Sequence, residues 1–93
     1  MELVLFRRRK VAPRILPKVS KWMAGHDDTI VTSGYRSERH NRAVGGSPTS
    51  YHLTGRAVDV VGPEATLDHL QRTARAFGAV EVLRESDHLH VAF

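Results

Sequence analysis

Apolar residues fall in short blocks separated by polar stretches, and each block carries its own period. Between Thr66 and Phe77, Leu67, Leu70, Ala74 and Phe77 follow one another at spacings of 3, 4 and 3, which predicts an amphipathic helix ended by Gly78. Lys18 to Ala24 predicts a shorter helix, with Val19, Trp22 and Met23 on its apolar side and Gly25 as the stop. Thr29 to Thr32 is β-branched throughout and runs into Ser33-Gly34, the pattern of a buried strand entering a turn. Ala57 to Val61 is apolar apart from Asp59 and is closed by Gly62-Pro63, so it predicts a buried strand carrying one carboxylate. Ala79 to Leu83 and His88 to Val91 predict two more strands around the polar turn Arg84 to Asp87. Residues 2 to 6 suit a short strand, and Arg7 to Lys18, punctuated by Pro13 and Pro17, is expected to be irregular. The stretch from 33 to 56 is rich in Gly, Ser, Arg and His and predicts a long loop with one helical turn over Glu38 to Val44. Together these elements predict an α+β fold in which two or three helices pack on a small, mostly antiparallel sheet.

Composition narrows the picture. Ninety-three residues, 41% hydrophobic and 26% charged, suit one globular domain over residues 1–93, with a basic segment at 1–18 and a chemically distinctive part from about 30 to 91. A core this small is only marginally stable, and a bound metal would act as a staple. Cysteine is absent, which excludes disulfides, cysteine nucleophiles and thiolate metal sites, and leaves His, Asp and Glu as the only metal donors. Fourteen Lys plus Arg against ten Asp plus Glu give a formal charge of +4, which favours polyanionic surroundings without choosing among nucleic acid, anionic lipid and cell-wall polymers. Leu3 to Phe6 is too short for a signal-peptide core or a membrane span, so no signal peptide is visible.

Two clusters could carry chemistry. In Ser50-Tyr51-His52-Leu53-Thr54-Gly55-Arg56-Ala57-Val58-Asp59, a loop histidine precedes a carboxylate that its apolar strand would bury. Burying that charge costs several kcal/mol unless a cation or hydrogen bonds compensate it. In Asp87-His88-Leu89-His90, strand alternation puts both histidines on one face and Leu89 in the core, with Asp87 able to lean toward the histidines. His52, Asp59 and His90 together would form a three-ligand set for a catalytic zinc with an open fourth position. Asp87 would then exchange protons with the attacking water, and His88 would hydrogen-bond the tetrahedral intermediate. Taken singly, the same residues have plainer uses: His52 as a loop-stabilising histidine, Asp59 as the partner of an arginine, Asp87 as a turn residue bonding its own backbone.

At these positions the sequence resembles the zinc D,D-peptidases of the M15 family, whose metal-binding core is shared with the signalling domain of hedgehog proteins. The family pattern Ser-x-His-x-x-Gly-x-Ala-x-Asp is met by Ser50 to Asp59, and the following acid-x-x-His by Asp87 to His90. The upstream Ser33-Gly34-Tyr35-Arg36 is similar to the family's Ser-Gly-Tyr-Arg element, and the stretch His40-Asn41-Arg42-Ala43-Val44-Gly45-Gly46 resembles its small D-Ala-D-Ala carboxypeptidase-like branch. The resemblance implies that His52, Asp59 and His90 hold Zn2+, that Asp87 is the general acid/base, that Arg36 points its guanidinium at a substrate carbonyl or carboxylate, and that Ser50 orients the substrate peptide or a ligand. It implies a hedgehog/DD-peptidase-like fold acting as a monomer on stem or cross-link peptides of bacterial peptidoglycan, as carboxypeptidase or endopeptidase, with no need for nucleic acid or a membrane span. With no signal peptide visible, such action on the cell wall is expected of a phage-encoded lysin or another protein made in the cytoplasm and released, and a fragment of an exported enzyme would look the same. The rival expectation is a non-catalytic module of the same fold, stabilised by metal or docking on a polyanion.

Overall fold

The computed structural model describes residues 2–93. An N-terminal hairpin pairs β1 (Val4–Phe6) with β2 (Arg9–Val11), and helix α1 (Leu16–Met23) follows. The main sheet contains β3 (Ile30–Ser33), β4 (Ala57–Val61), β5 (Glu81–Arg84) and β6 (Leu89–Ala92), in the order β3-β4-β6-β5 with every neighbour antiparallel. Between β3 and β4 the chain forms α2 (Glu38–Ala43) and a 3₁₀ turn at Tyr51–Thr54; between β4 and β5 it forms α3 (Glu64–Thr73), which tightens into a second 3₁₀ turn at Ala74–Phe77. The expected α+β architecture is therefore the observed one. No helix among the described residues is long and apolar enough to cross a membrane.

Strand alternation divides the main sheet into two chemically different faces. Val58 and Val60 of β4 and Leu89 and Val91 of β6 are fully buried and pack with Val19, Trp22 and Met23 of α1 and Leu67 and Leu70 of α3. Burying each such side chain contributes about 1.5–3 kcal/mol, so this face holds most of the fold together. Trp22 closes the layer: its indole Nε1 donates to the Leu70 carbonyl at 3.0 Å, and its ring meets Phe93 edge-on at 5.6 Å. The opposite face presents Asp59 and His90, which are paired across β4 and β6.

Two sequence expectations need correction. The stretch from Arg7 to Lys18 is not irregular, since it contains β2 and the start of α1. Pro17 lies in the first turn of the helix, where a missing N–H leaves no bond unmade, so it marks a start and not an interruption. The hairpin turn is made by Arg7 and Arg8 with φ of 47° and 79°, a conformation usually left to Gly or Asn, which is why no turn signal precedes it. Arg7 offsets that strain by donating from its guanidinium to the Met23 carbonyl at 3.1 Å and the Thr29 hydroxyl at 2.9 Å. The second correction is Phe77: the 3₁₀ tightening shifts the helical phase, and the ring is left 38% exposed instead of completing the apolar stripe.

Candidate metal centre

The long loop returns over the polar face of the sheet and brings His52 to the strands. Ser50 caps the 3₁₀ turn, its hydroxyl accepting from the His52 amide at 3.2 Å, and Gly55 ends the turn at φ 69°. His52 becomes buried, with its Nδ1 at 2.7 Å from the Gly34 carbonyl. Gly34 owes its identity to the packing around it: a Cβ there would collide with the Lys10 carbonyl of β2. The hairpin thus supports the backbone that holds His52.

Three side chains converge. Asp59 Oδ1 lies 3.1 Å from His52 Nε2 and 3.1 Å from His90 Nδ1, and the candidate ligand atoms all fall within 4.8 Å of one another. In a tetrahedral site with bonds near 2.0–2.1 Å, ligand atoms sit about 3.3 Å apart, so the spacing is suitable. The outer nitrogens make the case stronger. A carbonyl only accepts, so His52 Nδ1 carries a proton toward Gly34; His90 Nε2 lies 2.6 Å from the Glu81 carboxylate and likewise donates. With those protons assigned, each neutral ring turns a lone pair toward Asp59 Oδ1. Three electron-rich atoms facing one point require positive charge between them, supplied by additional protons or by a divalent cation. The donor set of two imidazoles and one carboxylate fits zinc.

Without a cation, additional protons on the rings supply that charge, and the inner nitrogens then donate to Asp59. Burial pushes the Asp59 carboxyl up, but hydrogen bonds from His52 and His90, together with their charge, outweigh it and hold Asp59 well below the usual carboxylate range. His90 is raised, chiefly by its bond to Asp59, against the effect of burial and with help from Glu81.

The remaining sequence-predicted residues are placed less uniformly. Arg36 borders the cleft, yet its guanidinium is committed within the protein, donating to Asn41 Oδ1 at 2.9 Å, Ser33 Oγ at 3.0 Å and Asp59 Oδ2 at 3.5 Å. It holds the far oxygen of Asp59 and so leaves Oδ1 for the shared point. Asn41, buried beneath it, also donates to the Ser47 carbonyl at 2.8 Å and fixes the loop wall. Gly46 fits over this pair because a Cβ would run into Asn41 Oδ1 and Arg36 Nη1. Ser50, His88 and the triad line one cleft of about 920 Å³. Asp87 does not line it; its largely exposed carboxylate accepts from His88 Nδ1 at 2.7 Å, a bond that lowers its pKa, and it borders a groove with Glu64, Asp68 and Arg84. His26 and His69 meet each other at 5.0 Å between ring centroids and take no part in the triad.

Sequence reasoning missed Glu81, Asn41 and the Gly34 carbonyl. The Glu81–His90 contact depends on hairpin register: Leu83, not Glu81, is opposite His90, and Glu81 reaches it on the diagonal. Only a correct register for β5 and β6 would have revealed it. The family model for peptidase M15 matches residues 4–92. No curated protein matches the chain.

Proposed function

Because this chain belongs to the peptidase M15 family, we propose that it is a zinc-dependent hydrolase of D-amino-acid-containing peptides from bacterial peptidoglycan. The observation that carries this reading is the convergence of His52 Nε2, Asp59 Oδ1 and His90 Nδ1 at the floor of an open cleft, each ring's other nitrogen already held by an acceptor. Zinc, when bound, polarises the scissile carbonyl and lowers the pKa of water toward about 7.

The protein's own groups handle the protons. His88 faces the cleft and gives its Nδ1–H to Asp87, so the neutral ring offers a lone pair at Nε2. That nitrogen takes a proton from the attacking water and returns it to the amine as the C–N bond breaks. Asp87 acts through His88, fixing its tautomer and stabilising the imidazolium, which moves the direct proton transfer from the carboxylate to the ring. Arg36 orients Asp59, and Ser50 at the cleft wall is assigned to contact with the peptide.

The test is digestion of purified muropeptides by the zinc-loaded and the chelator-treated protein, with products identified by mass. Chelator-sensitive release of D-alanine supports a carboxypeptidase, and separation of cross-linked dimers supports an endopeptidase. Identical digests with and without chelator would refute the proposal.

A further inference from the structure

Two acidic side chains beyond the triad line the cleft, Glu81 and Glu85, and of these two Glu81 is the one hydrogen-bonded to a member of the triad. We infer that Glu81 is a positioning residue for the metal centre: by accepting the Nε2–H of His90 it turns Nδ1 toward the point shared with His52 and Asp59. The inference rests on the reading of the triad as a metal site.

A histidine can ligate through either nitrogen, and the one that ligates is the one its other partner leaves unprotonated. The two triad histidines settle this choice differently. His52 is fixed by a main-chain carbonyl, which substitution of a side chain does not remove. His90 depends on a side chain of a neighbouring strand, at 2.6 Å. The diagonal reach is set by the core: Val82 of β5 is paired with Val91 of β6, Val91 is fully buried and Val82 packs against the same cluster. That anchoring fixes the height of Glu81 against His90. Strand β5 contributes no ligand, yet through Glu81 it determines which atom of His90 serves as one. A carboxylate partner also makes the imidazole a stronger donor to a cation than a neutral acceptor would.

The experiment measures zinc affinity of the full chain by competition with a chromophoric chelator, for the wild type, Glu81→Ala and Glu81→Gln, with far-UV circular dichroism of each metal-free protein as the folding control. Loss of the partner should weaken zinc binding about 10- to 100-fold in Glu81→Ala. Glu81→Gln retains an acceptor oxygen and should stay within about a few-fold of wild type, because the orientation of the ring is what matters most. The visible spectrum of the cobalt-substituted protein should change in Glu81→Ala and persist in Glu81→Gln, a distinction that a simple loss of stability would not produce. Nitrogen-15 NMR of the wild-type zinc protein needs no variant and should find His90 protonated at Nε2. Equal zinc affinity in Glu81→Ala and wild type, or a His90 protonated at Nδ1, overturns the role of Glu81 while leaving the triad intact. A wild-type protein that binds no zinc overturns both.

Discussion

Replacing Arg36 with alanine tests whether its guanidinium serves the site or the substrate. The side chain is 12% exposed and donates to three acceptors: Asn41 Oδ1 at 2.9 Å, Ser33 Oγ at 3.0 Å and Asp59 Oδ2 at 3.5 Å. Hydrogen bonds to a charged group contribute about 1.5–3 kcal/mol each, and the 3.5 Å contact is at the limit of usefulness. Asn41 is only 3% exposed, so its Oδ1 would lose a partner where water has little access. The expected loss is about 3 kcal/mol, against a total of roughly 5–14 kcal/mol for a chain of this length. At about 4–8 °C per kcal/mol, the melting temperature should fall by about 15 °C. Asp59, released at Oδ2, should also bind zinc less tightly, and Arg36→Lys should recover only part of either loss because an ammonium cannot span three acceptors. Differential scanning calorimetry and a zinc titration measure both. Unchanged melting and zinc affinity with only KM raised would refute the reasoning and put the guanidinium on the substrate.

Three further outcomes follow from the same geometry. Gly34→Ala should lower stability by about 1–3 kcal/mol and weaken zinc binding together, since the new Cβ displaces β2 at the Lys10 carbonyl and draws the Gly34 carbonyl away from His52; an unshifted melting curve would contradict this. His88→Ala should retain zinc and lose about 10²–10⁴ in kcat, with Asp87→Ala retaining more activity than His88→Ala; the reverse order would return the proton transfer to Asp87 itself. In the metal-free protein, His90 is raised above 6.5, so its contribution to stability is full below 6.5 and fades as pH rises through the raised value. Thermal melts should therefore show the metal-free protein losing stability as pH rises above 6.5, His90→Gln lacking that loss, and zinc affinity increasing over the same range as the ion displaces protons.

How far the site could be read in advance differs from residue to residue. The short-range spacing of Ser50, His52, Gly55 and Asp59 is itself the local structure: a capped 3₁₀ turn, a left-handed glycine and the entry to a strand, all within ten residues. Alternation around Leu89 was equally legible, because a fully buried leucine between two half-buried histidines leaves one assignment of faces. Arg36 was legible as a motif but not in direction, since its acceptors come from β3, α2 and β4. Asp87 illustrates the same limit: three residues before His90 suggested a position over the site, whereas the end of the hairpin turns its carboxylate outward onto His88.

Patterning and local chemistry in the chain determined the element types, the two faces of β4 and β6 and the donor set of the candidate site, because these depend on periods of two to four residues and on side-chain identity. Tertiary structure alone decided which nitrogen of each ring faces Asp59, that Glu81 stands behind His90, that Arg36 turns to Asp59, and that the Arg7–Arg8 hairpin supports Gly34. Those relations join residues brought near by strand register and loop closure, and neither is encoded by local spacing; both are set where the buried faces of separate elements meet.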